Sequence, residues 1–95
     1  MKLYLISQSI NNGYDTYDSA VVAAENEQAA KETSPSTFYI GHNNGWYFQY
    51  SDGTEKLEHS RSDWAYKPSD VDVEYIGEAV KGTEAGVICA SFNAG

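Results

Sequence analysis

Val71-Asp72-Val73-Glu74-Tyr75-Ile76 alternates residue by residue: Val71, Val73 and Tyr75 interleave with Asp72, Glu74 and Ile76. Side chains two apart on a strand share a face. The stretch therefore predicts a β-strand with one dry face and one wetter face. Gly77-Glu78-Ala79-Val80 is expected to extend it, and Lys81 to Gly86 to form a loop. Gly86 then opens Val87-Ile88-Cys89-Ala90-Ser91-Phe92, an apolar run that reads as a second strand, interior and covered on both sides. Asn93-Ala94-Gly95 is expected to fray.

Leu3-Tyr4-Leu5-Ile6-Ser7, at the other end of the chain, is apolar on both strand faces and predicts an interior strand. Ala20 to Ala24 is a short apolar run with β-branched Val21 and Val22, expected to pair with the first strand. Between them lies a long connection, Asn11 to Asp18, with a turn signal at Asn11-Asn12-Gly13. Asn26 is placed to cap a short helix over about residues 27–33, because its side-chain oxygen can accept an unpaired amide proton of the first turn. Glu27 suits the helix dipole, and Pro35 stops the helix at Ser34. The centre predicts hairpins. Phe38-Tyr39-Ile40 and Trp46-Tyr47-Phe48-Gln49-Tyr50 flank Asn43-Asn44-Gly45, and Asp52-Gly53 marks a second turn. Thr54 to His59 is a polar edge strand or a loop, and Ser60 to Asp70, with Trp64 and Pro68, is irregular. This order of elements implies a single α+β domain over residues 1–95: a small, mostly antiparallel sheet of about five or six strands with one short helix on one face.

Composition narrows the function. Acids outnumber cations 14 to 6 in 95 residues, for a net charge of −8. Nucleic-acid binding needs basic side chains to displace counterions from phosphates. With Arg61 as the single arginine, there is no basic patch for nucleic acid or for an anionic membrane surface. An acidic surface suits a basic protein partner, or keeps the chain soluble. One cysteine, Cys89, excludes an internal disulfide and a zinc site with two thiolates. The apolar start spans about four residues, too short for a secretory signal core, so the expected location is the cytoplasm.

Catalytic sets are sparse. Cys89 with His42 or His59 is the one thiol–imidazole combination, and Cys89 is expected to be an inert core residue within its apolar run. His42 is expected at a loop tip and His59 in solvent. Asp15 and Asp18 do not follow the calcium-loop spacing. Asp70, Asp72 and Glu74 are expected along one side of a strand. Gly41, Gly45 and Gly53 form no phosphate-binding fingerprint. No metal or cofactor is expected. Tyrosine is abundant, with eight residues, and tyrosine is enriched in interfaces.

Two regions resemble a family of short uncharacterised proteins from phage and prophage genomes. They are Asn12-Gly13-Tyr14-Asp15-Thr16-Tyr17-Asp18-Ser19-Ala20-Val21-Val22-Ala23-Ala24-Glu25, and Val73 to Ala79 together with Gly86-Val87-Ile88-Cys89-Ala90-Ser91-Phe92-Asn93-Ala94-Gly95. The resemblance covers about half of the chain, with Tyr-Asp-Thr-Tyr-Asp-Ser-Ala and Ala-Ser-Phe-Asn-Ala-Gly as its most specific strings. It implies a viral accessory protein in a bacterial host cytoplasm and assigns no activity.

The resulting expectation is a non-enzymatic protein that binds a protein partner with a basic surface, inhibition of a host defence factor being one such role. The candidate contacts are Tyr14, Asp15, Tyr17, Asp18, Asp70, Asp72, Glu74 and Glu78. The alternative is a structural module that self-assembles into a homo-oligomer through an exposed strand edge.

Overall fold

The computed structural model describes residues 1–11, 13–36, 39–58 and 63–93. The expectations for Asn12, Phe38, His59, Arg61 and the terminal Ala94-Gly95 lie outside the described residues. Among the described residues there are seven strands: β1 (Lys2–Ser7), β2 (Thr16–Ala24), β3 (Tyr39–His42), β4 (Gly45–Gln49), β5 (Glu55–Glu58), β6 (Asp72–Glu78) and β7 (Gly86–Asn93). One helix, α1 (Glu27–Lys31), follows β2, and a 3₁₀ turn, Pro68–Asp70, precedes β6. The α+β class is the one read from the sequence. The strands divide into two antiparallel sheets, one of four in the order β6-β1-β2-β7 and one of three in the order β3-β4-β5.

Local chemistry explains most elements. The Asn26 side chain accepts the Ala29 amide at 2.8 Å and caps α1. Asn43 (φ 51°) and Asn44 (φ 55°) form the two-residue turn between His42 and Gly45. Both central residues of such a turn need positive φ, which asparagine tolerates. Gly53, at φ 90°, closes the second hairpin. Gly41 must lack a side chain: a Cβ there would lie 2.9 Å from the Trp46 ring and 3.0 Å from the Glu32 backbone.

The core is one layer deep. Tyr4, Ile6, Ala20, Val22 and Ala24 form the inner face of the four-stranded sheet. Ala30 of α1, Trp46 of β4 and the segment Trp64–Ala65 with Val71 cover it. The Trp46 indole donates to the Ala65 carbonyl at 2.9 Å, which ties the hairpin sheet to that segment. Trp64 is wholly buried, and its Nε1–H has no hydrogen-bond partner among the described residues.

Several expectations are corrected. Strand β1 is central, but only Tyr4 and Ile6 are buried, while Leu3, Leu5 and Ser7 on the outer face are half-buried. The reason is that the second layer covers a single face. Strand β7 is not interior. Among the described residues it pairs only with β2, lies at the sheet edge, and is exposed from Ile88 onward. Cys89 is therefore an exposed thiol rather than a core residue. Asp70 belongs to the 3₁₀ turn, so it does not share a strand face with Asp72 and Glu74. The strand that holds those two ends at Glu78, and Val80 beyond it is exposed.

Candidate functional site

The outer face of the four-stranded sheet can be written row by row from its register. One row runs Asp72, Ser7, Ser19, Ser91; the next runs Glu74, Leu5, Val21, Cys89; a third runs Gly77, Leu3, Ala23, Gly86. Each row passes from the acidic edge strand β6, through hydroxyl or aliphatic side chains, to uncharged β7. Antiparallel neighbours lie about 4.8 Å apart. Asp72 and Glu74 are two residues apart on one face and both exposed, as an alternating strand requires.

Glu78 is separated from them by a bulge. The register shifts between Leu3 and Tyr4, so Tyr75 pairs with Tyr4 while Gly77 pairs with Leu3. Tyr75 packs edge-on against Tyr4, ring centroids 5.9 Å apart. Desolvation there, reinforced by the charge of Glu78 and a hydrogen bond to it, raises the Tyr75 phenol above its ordinary pKa. Glu78 thus partners Tyr75 and is not part of the outer-face pair.

The connection from β1 to β2 is a folded structure. Gln8, buried with its amide, organises it. Its Nε2 donates to the carbonyls of Asn11 at 2.6 Å and Tyr17 at 2.9 Å, and its Oε1 accepts the Asn11 amide at 2.8 Å. Asn11 Nδ2 in turn donates to the Trp64 carbonyl at 3.0 Å. The Thr16 hydroxyl donates to the Gly13 carbonyl at 2.7 Å, and Asn93 Nδ2 reaches the same carbonyl at 3.2 Å. Asp15 sits at φ 58° and donates its amide to the Asn93 carbonyl at 2.6 Å. This clamp leaves Tyr14 78% exposed at the tip. Tyr17 instead faces the core and meets Phe92 edge-on at 4.8 Å. Of the four candidate residues here, Tyr14, Asp15 and Asp18 are exposed and Tyr17 is half-buried. Nothing in the sequence pattern singled out Gln8; the one legible hint was a polar residue ending an apolar strand.

A concavity of about 630 Å³ lies elsewhere, between the β3–β4 turn, β5 and the segment that precedes β6. Tyr47, Leu57 and Tyr66 line it with Glu58, Lys67 and Asp70, a shallow groove of mixed charge. Asp70 is thereby placed apart from Asp72 and Glu74. His42, beside this groove, stacks on Tyr47 with ring centroids 3.8 Å apart and contacts Glu55 at 3.0 Å. Cys89 is on the other sheet. Among the described residues, no three His, Cys, Asp or Glu side chains gather as a metal site would require. No described helix is long and apolar enough to cross a membrane.

No family model, no curated protein and no solved structure matches the chain.

Proposed function

We propose that this chain is a non-enzymatic binding module that engages a basic protein through the acidic side of its open sheet. The supporting observation is the uncovered outer face, where the exposed carboxylates of Asp72 and Glu74 border a strip of Ser7, Leu5, Ser19 and Val21. The aliphatic Leu5 and Val21 beside a polar, charged border follow the apolar-core and polar-rim layout of protein interfaces. Two acids on one strand face repel each other by a few tenths of a kcal/mol, and an approaching cation relieves that repulsion. Exposed Tyr14 is a second contact, held by the Gln8 clamp. In keeping with the resemblance to phage and prophage proteins, the place of action is a bacterial cytoplasm, and masking a basic groove on a host defence factor is the role such a surface would serve.

The test is capture from bacterial lysate at low salt, comparing wild type with Asp72→Lys/Glu74→Lys. Both positions are exposed, so the fold should survive, as far-UV circular dichroism would verify. The expected result is a basic protein retained by wild type and lost by the double variant. Identical capture by both proteins would refute the assignment to this face.

A further inference from the structure

Four strand edges border the two sheets, and three of them are guarded against pairing with another chain. Strand β6 carries Asp72, Glu74 and Glu78. Strand β5, Glu-Lys-Leu-Glu, is charged at three of its four positions. Strand β3 is closed by its own chain: the Gly41 amide donates to the Glu32 carbonyl at 2.9 Å, and Ile40 bridges Thr33. Strand β7 differs. Its eight residues, Gly-Val-Ile-Cys-Ala-Ser-Phe-Asn, carry no charge and end the sheet. Ile88 is 52% and Phe92 47% exposed. Apart from the register shift at Ile88, no charge guards this edge, and an uncharged edge strand is a template for strand addition.

We propose that β7 pairs with β7 of a second copy, antiparallel about a two-fold axis, so that two four-stranded sheets become one continuous sheet. Charge selects this occupant. An uncharged strand offers nothing to attract a basic partner, whereas pairing with itself needs only a backbone edge that no other described strand occupies. Two chains of net charge −8 repel, but this contact sets their acidic β6 edges at opposite ends of the combined sheet. Seven strand spacings separate those edges, about 34 Å at about 4.8 Å each. That is several times the Debye length of about 8 Å at physiological salt.

Symmetry adds a geometric consequence. A two-fold axis perpendicular to an antiparallel sheet requires one residue to face its own copy, because otherwise a hydrogen-bonded pair would map onto a non-bonded one. The register shift opposite Val21 and Val22 leaves Ile88 as an extra residue, while Cys89 to Phe92 continues without one. An axis through Cys89 puts the two Cys89 Cα atoms about 4.5–5.5 Å apart. An axis through Ala90 puts the two residues on a same-face diagonal, about 7–8 Å apart. We place the axis at one of these two residues, where the exposed thiol reports the contact. This interface uses the edge opposite Asp72 and Glu74, so it stands or falls separately from the basic-partner proposal.

The experiment uses the full chain. Sedimentation equilibrium over a wide concentration range is combined with a short bis-maleimide that links only thiols within reach. Wild type should shift from one-chain to two-chain mass with concentration and give a Cys89–Cys89 linked species. Ile88→Lys/Ser91→Lys, at two exposed positions, should weaken self-association at least about tenfold, equivalent to about 1.4 kcal/mol. Asp72→Lys/Glu74→Lys should retain the dimer. A one-chain mass at every soluble concentration would overturn the proposal. So would a dimer that is unaffected by the lysines and yields no linked Cys89.

Discussion

Gln8→Ala removes a buried amide whose three hydrogen bonds hold the Asn11-to-Tyr17 connection in place. The side chain is 5% exposed, so water cannot replace those bonds without opening the structure. A net hydrogen bond is worth about 0.5–1.5 kcal/mol, which sums to about 3 kcal/mol here. For a domain of this size, each kcal/mol corresponds to about 4–8 °C in Tm. The expected fall is therefore at least about 12 °C by circular dichroism melting. A local readout accompanies the global one: limited proteolysis should cut beside Tyr14 faster in the variant than in wild type, because the tip is held only by this clamp and its neighbours. Gln8→Glu makes a sharper control. It keeps an acceptor for the Asn11 amide but turns a carboxylate toward two carbonyl oxygens, so it should be no more stable than the alanine variant. A Tm loss below about 4 °C, under 1 kcal/mol, would refute the assignment of Gln8 as the organising residue.

Gly41→Ala should destabilise by about 1–3 kcal/mol in urea unfolding, since a new Cβ meets the Trp46 ring and the Glu32 backbone; an unchanged midpoint would show that the close approach is absent. Native Cys89 should react rapidly with a thiol reagent without denaturant, because it is exposed on an edge strand; slow labelling would return it to the interior. Tyr75 should titrate at higher pH than a free tyrosine, with desolvation as the main cause and Glu78 second. A raised folded-state pKa favours the protonated phenol, so this contribution to stability is complete below about pH 10 and is lost as pH rises through the folded value. Glu78→Gln should move the phenolate absorbance midpoint back toward the ordinary value; no movement would contradict the pairing.

Elements set by local chemistry were legible in the chain, and so was the pairing of β1 with β2; the edge position of β7 was not. The Asn26 cap, the positive-φ asparagines of the β3–β4 turn and the alternation through Asp72 and Glu74 depend on residues within a few positions of one another. Strand β7 misled because an apolar run records only the absence of charge, and an unguarded edge and a buried centre share that composition. What separates them is that, among the described strands, β7 has β2 as its one neighbour. Glu78 was grouped with Asp72 and Glu74 by spacing, but the bulge opposite Leu3 and Tyr4 breaks the period between them. Tyr17 looked like a contact beside Tyr14, yet its ring turns inward against Phe92, seventy-five positions along the chain. Gln8 escaped notice for the same reason: its clamp ends on Trp64 through Asn11, a distant partner that no pattern of neighbours announces.

The binding claim rests on the carboxylates of Asp72 and Glu74, and the most direct measurement is the rate at which the protein captured from lysate associates with wild type as salt is raised. Complementary charge acts mainly on the association rate, and the Debye length shrinks from about 10 Å at 0.1 M to about 3 Å at 1 M salt. The predicted result is a wild-type rate that falls steeply over that range, with Asp72→Lys/Glu74→Lys slow and nearly flat while its fold is intact. A wild-type rate that is unchanged by salt would mean that the acidic face only keeps the protein soluble.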